Sequence, residues 1–304
     1  MKTLVIGYGS IGQRHTRLLK ELGYQVAVVS RRSVEHFSCY PDLEQALVEW
    51  QPDYVVVANQ TSQHYQALKI LVETEFRGLV LIEKPLFDEF ITIPKHCFSK
   101  IAVAYNLRFH PLLQELKQIV DSASKIITAS VYVGSYLPNW RSQIDYRKSY
   151  SASKQAGGGV LRDLSHELDY ILWMFGNWQR LTAIGGKLSQ LDINSDDAYS
   201  LLMETERCPL ISISMNYLDR LPRREIVINT DRQTIHVDLI QNTISNNDNQ
   251  KFLTLERDAT YIAEHQAMLA GNVNLLCSIE EASTTLLTIE AAEQAATLQT
   301  WIRQ

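Results

Sequence analysis

The sequence contains no CxxC pair, no basic tract and no apolar run approaching the ~18 residues needed to cross a bilayer. Each absence excludes a class of function. The four cysteines, Cys39, Cys97, Cys208 and Cys277, are scattered, a spacing that fits buried thiols in a reducing compartment and not a disulfide framework or a zinc site. No metal is expected. The 29 Lys and Arg against 34 Asp and Glu leave a net charge of −5, so the chain is a poor candidate for gripping a phosphate backbone, and neither nucleic acid nor membrane is an expected partner. The opening Met1-Lys2-Thr3-Leu4-Val5-Ile6-Gly7 enters a strand-like run at once, without the apolar segment and small-residue cleavage site of a signal peptide. A cytoplasmic location is the expectation.

What is present is an ordinary globular composition, 45% hydrophobic and 21% charged, over 304 residues. At roughly 150 residues per domain, that length suggests two domains. The first third alternates strand and helix patterns: strands at Thr3–Gly7, Gln25–Ser30, Tyr54–Ala58, Leu79–Glu83 and Lys100–Ala104, with helices at Gln13–Leu22, Asp42–Trp50 and Ser62–Glu73. Continuous apolar strands such as Tyr54-Val55-Val56-Val57-Ala58 are buried on both faces, so the alternation predicts a doubly wound parallel sheet. After about Asp121 the rhythm changes to successive strands at Lys125–Gly134, Leu181–Lys187, Ala198–Thr205, Leu210–Tyr217, Glu225–Asn229 and Thr234–Leu239. The polar–apolar alternation of Ile211-Ser212-Ile213-Ser214-Met215 is that of an antiparallel strand with one solvated face. Helical patterns in this half are confined to Asp163–Phe175 and Tyr261–Ile302, and the polar stretch Asn242–Gln250 reads as a turn or flexible loop. The prediction is an α/β Rossmann domain over 1–121, followed by an α+β domain over 122–304 on an open, mostly antiparallel sheet.

Gly7-Tyr8-Gly9-Ser10-Ile11-Gly12 is a G-x-G-x-x-G loop between the first strand and the first helix. The first glycine permits the tight turn, the second lets backbone approach a pyrophosphate, and the third lets helix and strand pack closely, with helix N-terminal amides facing the phosphates. An NAD site usually places an acid about 20 residues on, against the ribose 2′-hydroxyl. Here the second strand ends Val28-Val29-Ser30-Arg31-Arg32 without one. Ser30, Arg31 and Arg32 suit a 2′-phosphate instead, so NADP is the favoured cofactor, with NAD an allowed one.

Two further segments carry chemistry. Glu83-Lys84-Pro85 ends a predicted strand, and ligands of doubly wound sheets sit beyond the carboxyl ends of strands. Gly157-Gly158-Gly159-Val160-Leu161-Arg162-Asp163-Leu164-Ser165-His166-Glu167-Leu168-Asp169-Tyr170 enters an apolar helix. Asp163, His166 and Asp169 or Tyr170 recur at helical spacing and are expected on one face. An acid beside a histidine suits proton transfer near neutral pH.

Together these motifs resemble the Gfo/Idh/MocA family of NAD(P)-dependent sugar and cyclitol oxidoreductases nearly end to end. Gly12-Gln13-Arg14-His15 continues the glycine loop in the family's manner. Ala58-Asn59-Gln60-Thr61-Ser62-Gln63-His64 resembles a segment that lines the nicotinamide side, Glu83-Lys84-Pro85 its E-K-P signature, and Gly157–Asp169 its glycine-rich D…H-x-x-D helix. The resemblance implies that Gly7, Gly9, Ser10, Ile11, Gly12, Asn59, Thr61, His64, Glu83 and Lys84 contact the cofactor. It further implies that Lys84 hydrogen-bonds the reacting oxygen, Asp163 binds substrate and His166 exchanges the proton. One departure stands out. Two residues separate Asp163 from His166 where three are frequent, and Glu167 holds the usual histidine spacing. Asn106 and Arg108, in Tyr105–Pro111, and Trp140, Arg141 and Tyr146 are further expected substrate contacts, since aromatics and arginines suit sugar faces and anionic groups.

The segment Tyr105–Pro111 and the aromatic, basic loop resemble the branch tied to bacterial surface sugars, which implies a sugar, amino sugar or nucleotide sugar as substrate. The open sheet of the second domain resembles the one that family members pair through, which implies a homodimer or homotetramer. A non-catalytic redox sensor would need the glycine loop but neither Lys84 nor His166. A biliverdin-type reductase would place a flat tetrapyrrole where the sugar is expected.

Overall fold

The computed structural model describes residues 1–141, 145–247, 249–271 and 274–304, which form two compact units. The first comprises Met1–Phe109 and Asp258–Ser283, the second His110–Arg257 and Thr284–Gln304. The expected division after residue 121 differs in two respects: the first unit ends earlier, and it takes back a segment from late in the chain.

In the first unit, β1 (Lys2–Ile6), α1 (Ser10–Glu21), β2 (Gln25–Val29), β3 (Ser38–Tyr40), α2 (Leu43–Trp50), β4 (Tyr54–Val57), α3 (His64–Glu73), β5 (Leu79–Ile82) and β6 (Lys100–Val103) follow in order. All six strands are parallel, in the order β3-β2-β1-β4-β5-β6. The chain reverses its direction of winding at β1, so the glycine loop lies at the topological switch point. Backbone bonds from Gly7 N to Val29 O (2.9 Å), Ala58 N to Ile6 O (2.8 Å) and Glu83 N to Val57 O (2.9 Å) align the carboxyl ends of β2, β1, β4 and β5 along one edge. β3 has no counterpart among the predicted strands.

The second unit starts with α4 (Pro111–Ser122), capped by His110 with Pro111 in its first turn and burying Leu112, Leu113, Leu116 and Val120. No helix was expected there. β7 (Ile126–Gly134) follows, then α5 (Val160–Asp163) and α6 (His166–Phe175), then β8 (Trp178–Gly186), β9 (Ala198–Thr205), β10 (Ile211–Asn216), β11 (Arg223–Thr230), β12 (Thr234–Asp238), β13 (Thr243–Asn246) and β14 (Asn249–Phe252). Asn242–Gln250 is therefore not a loop: β13 and β14 pair antiparallel, although Asp248 lies outside the described residues. As an edge strand with every residue exposed, β14 needs no apolar face, so its composition reads as loop.

The chain returns to the first unit with α7 (Ala259–Ala270), whose Ala267 and Met268 join the core of Val5, Leu19, Val56 and Leu81. α8 (Ile279–Leu298), whose residues from Thr284 onward belong to the second unit, and β15 (Ile302–Arg303) complete it. The stretch Tyr261–Ile302 is thus two helices, with α7 closed by Gly271 at φ 79°, and Ile302 pairs as a strand with Leu181. The nine-stranded sheet runs β14-β13-β12-β11-β7-β10-β9-β8-β15, antiparallel except for β7 with β10. One face is core, built by Ile211, Ile213, Met215, Leu201 and Met203; Ser200, Leu202 and Ile184 lie on the exposed face. Cys208 and Cys277 are buried, but Cys39 and Cys97 are exposed, which corrects the expectation of four buried thiols. Among the described residues no helix is long and apolar enough to cross a membrane.

Candidate active site

The candidate residues form two groups, one in each unit. In the first, the glycines act as their spacing requires. Gly7 sits at φ 94°, where a Cβ would press on the Asn59 backbone at 2.6 Å, and a Cβ on Gly12 would collide with the Gly7 carbonyl oxygen. Gly9 differs: its φ is an ordinary −76°, and a Cβ there would meet nothing within 4 Å. It faces open space. Gly9 is also the N-cap of α1, with no side-chain cap and no acid in the first turn, so Ser10, Ile11 and Gly12 open a helix whose N-terminal amides are left to a ligand. Those features fit a dinucleotide pyrophosphate. Asn59 Oδ1 adds to the fit, being buried without a hydrogen-bond partner. Beyond β2, Ser30 Oγ accepts the Arg32 N–H at 3.0 Å, and Arg31 and Arg32 are exposed.

The Asn59 and Lys84 segments are tied together by His64. Its Nδ1–H donates to the carbonyl oxygens of Pro85 (3.2 Å) and Leu86 (3.1 Å), and its Nε2 lies 3.3 Å from the Asn59 carbonyl oxygen. Burial lowers its pKa, although those carbonyls and Glu83 oppose the shift. Thr61 is buried in the single 3-10 turn that precedes α3. Glu83 is buried and Lys84, just beyond β5, is half-buried. Asn106 and Arg108 turn inward instead: Asn106 donates to Thr260 Oγ1 at 2.7 Å, and Arg108, 2% exposed, pairs with Glu281 at 2.8 Å. Both fasten the returning segment to its own unit.

In the second unit, Gly157 (φ 82°) and Gly159 (φ 133°) bring the chain into α5, where a Cβ on Gly158 would collide with the Tyr150 carbonyl oxygen. Asp163 and His166 do not share one continuous helix. Asp163 is the last residue of α5 and His166 the first of α6. Between them the bonds tighten to i→i−3, from Ser165 N to Arg162 O and from Glu167 N to Leu164 O, each 3.3 Å. Both residues are buried.

Asp163 Oδ2 accepts the Tyr217 hydroxyl at 2.6 Å. Tyr150 also faces this carboxylate, and both phenol pKa values are pushed well up, first by burial and then by the Asp163 charge. Trp140 stands edge-on to Tyr217 at 5.2 Å, and Arg141 lies over the Tyr150 ring at 6.0 Å. Trp140, Arg141 and Tyr146, with Leu137, Ser149 and Ser151, line a small, partly open pocket. Tyr150 belongs to the aromatic and basic loop expected at the site, whereas Tyr217 is a partner that the sequence did not suggest. Tyr217 is the last residue of a predicted strand, 54 residues from Asp163, so no local spacing joins them.

Glu167 is fully buried, with its carboxylate 2.8 Å from Arg224 Nε and accepting from the Tyr170 hydroxyl at 3.3 Å. The residue at the usual histidine spacing is therefore held in a buried ion pair. His166, itself buried, is the histidine of the segment.

Two family models match the chain: the NAD-binding Rossmann fold of the oxidoreductase family over residues 1–97, and the GFO/IDH/MocA C-terminal domain over residues 113–236. Similar solved structures include the WlbA dehydrogenase from Bordetella pertussis in complex with NADH and UDP-GlcNAcA, with 17% identity, coverage of 100% of this chain and 98% of that one, and a TM-score of 0.83. A levoglucosan dehydrogenase in complex with NADH gives 14% identity, 100% and 98% coverage and a TM-score of 0.84. The UDP-N-acetylglucosamine 3-dehydrogenase GnnA from Acidithiobacillus ferrooxidans gives 19%, 99% of each chain and 0.77. No curated protein sequence matches the chain.

Proposed function

Because the chain belongs to the GFO/IDH/MocA family of NAD-binding oxidoreductases, we propose that it transfers a hydride between NADP(H), in preference to NAD(H), and a hydroxyl or keto carbon of a sugar-like substrate. The observation that carries this reading is the placement of Lys84 just past β5, on the sheet edge where the open face of Gly9 and the orphaned Asn59 oxygen also lie. Bound nicotinamide supplies or takes up the hydride at its C4.

The chain's own residues handle the oxygen and its proton. Lys84 donates to the reacting oxygen and steadies negative charge that develops on it. Asp163, oriented by Tyr217, accepts from a substrate hydroxyl, and His166 takes the proton of the alcohol during oxidation and returns it to the carbonyl oxygen during reduction. Trp140, Arg141 and Tyr146 contact the sugar. Asn59 accepts from a donor on the cofactor, and Ser30, Arg31 and Arg32 hold a 2′-phosphate. Named relatives acting on levoglucosan and UDP-N-acetylglucosamine support a sugar or nucleotide sugar as substrate.

A homodimer or homotetramer formed through the open sheet is part of the same reading, supported by exposed Ile184, Leu202 and Ile127 on its strands; a monomer by light scattering would contradict it. A cytoplasmic location is part of the same reading, supported by four scattered cysteines without a CxxC pair. The experiment is turnover: purified protein offered NADP⁺ or NAD⁺ with pooled sugars, cyclitols and nucleotide sugars, and reduced cofactors with pooled keto forms, followed by nicotinamide absorbance. Silence across all pools, with NADPH binding intact, would overturn the assignment.

A further inference from the structure

A chain of four hydrogen-bonded side chains, buried in the first unit, ends at the Lys84 turn. Glu83 Oε2 accepts the Lys84 backbone N–H at 3.1 Å, and Glu83 Oε1 meets His15 Nε2 at 2.8 Å. His15 Nδ1 faces His265 Nε2 at 2.9 Å, and His265 Nδ1 faces the Tyr54 hydroxyl at 2.9 Å. His15, His265 and Tyr54 are 0% exposed and Glu83 7%. The four come from separate parts of the unit: His15 from α1, Tyr54 from the start of β4, Glu83 from just past β5, and His265 from α7, 250 residues beyond His15. Tyr261, against whose ring Arg14 stacks at 4.8 Å, faces Glu83, and Glu264 faces Tyr54.

Proton counting shows that the chain can be satisfied throughout with neutral rings. An ionised carboxylate only accepts, so His15 Nε2 carries a proton. A neutral His15 then accepts at Nδ1 from His265 Nε2–H, and a neutral His265 accepts at Nδ1 from the Tyr54 O–H. All three bonds form with no charged ring. Burial holds the His265 pKa well below the usual histidine range, which agrees with a neutral His265 ring. A buried polar network of this kind is stable only when every member is satisfied, and it then fixes one arrangement.

We propose that this chain, running from Tyr54 through His265 and His15 to Glu83, is the positioning device for Lys84, fixing the Glu83 carboxylate in one orientation and through it the Lys84 backbone. The role of Lys84 itself rests on the reading above. Glu83, His15, His265 and Tyr54 are positioning residues. They act on turnover through the geometry of the Lys84 turn, for which a misplacement of about 1 Å can cost on the order of 100-fold.

Two readouts on the full-length protein test this. The first needs neither substrate nor cofactor: native-state hydrogen exchange at the Lys84 amide. In H15L and H265L the Lys84 protection should fall by about tenfold or more relative to distant core amides, whereas H15Q and H265Q, whose side-chain amide replaces the ring Nε2–H, should keep it. Unchanged protection in both leucine variants overturns the proposal. If the leucine variants do not fold, Y54F and the glutamine pair carry the test: Y54F removes the terminal donor and should give an intermediate loss, and a Y54F protein with full protection counts against the chain. The second readout is kinetic. H15L and H265L should lose about 10–100-fold in kcat with KM and cofactor Kd within about threefold, and the glutamine variants should recover most of it. Cofactor affinity that weakens in step with kcat would make the network a strut for the glycine loop and overturn the positioning role. K84A run in parallel separates the two ideas. Full turnover in K84A sinks the assignment of Lys84, whereas loss in K84A with normal histidine variants sinks only the positioning chain.

Discussion

The Tyr217 hydroxyl donates to the Asp163 carboxylate across 2.6 Å, joining the residue after β10 to the last residue of α5 within the second unit. Both side chains are buried. Y217F deletes the donor and leaves the ring, so the expected cost is about 1–3 kcal/mol of stability. On the proposed reading, KM for the sugar rises while cofactor affinity is unchanged. Thermal unfolding and steady-state kinetics check this, and a KM equal to that of the unaltered protein would count against Asp163 as a substrate contact.

The three loop glycines should separate into folding and ligand positions. G12A drives a methyl into the Gly7 carbonyl oxygen and is expected to destabilise the fold by roughly 1–3 kcal/mol. G9A adds its methyl to open space at an ordinary φ. Its melting temperature should be that of the unaltered protein, while nicotinamide dinucleotide binding weakens by about tenfold or more, because the methyl occupies the approach of the pyrophosphate. Calorimetric titration with NADH and NADPH beside a melting curve tests this, and intact binding by G9A would contradict the placement of the phosphates.

The exposed Arg31 and Arg32 beyond β2 bear on cofactor choice. The R31A/R32A double variant should weaken NADPH by about 10–100-fold through lost charge-assisted bonds and leave NADH within about threefold. Equal weakening of both cofactors would remove the 2′-phosphate assignment.

Stability should fall in mild acid. His64, His110 and His265 all have pKa values lowered, in each case chiefly by burial. The unfolded chain therefore binds protons at these rings at a higher pH than the folded chain does. The stability this gives is fully present above the ordinary histidine value near 6.5, and it is lost as pH falls below that toward the folded values. Denaturant midpoints measured from pH 7.5 to 5 should decline, and H265Q should decline less steeply. A flat profile in the unaltered protein would contradict the burial argument.

Local patterns in the sequence specify much of this fold. The apolar runs of β1, β4 and β5 and the glycine loop appear where the spacing places them, and Lys84 lies at the sheet edge as expected. What escapes local reading is set by distant partners or by edge position. β14 is wholly exposed and carries a loop-like composition. The break between Asp163 and His166 is a change of backbone bonding within a continuous helical pattern. α4 did carry a signal, Pro111 ahead of Leu112, Leu113 and Leu116. His15 and His265 meet across 250 residues, and Arg108 turns to Glu281 across 173. No spacing rule reaches that far, so Arg108 read as a substrate contact while the buried histidine chain went unnoticed.

The most direct measurement of the central claim is the turnover of K84A beside that of the unaltered protein, on the substrate pool that gives a nicotinamide signal, with NADPH affinity measured on both. The expected result is a loss of several orders of magnitude in kcat, on the scale of a lost transition-state interaction, with NADPH binding changed by no more than about threefold. Retained turnover, or loss of turnover and of binding in equal measure, would contradict hydride-transfer chemistry centred on Lys84.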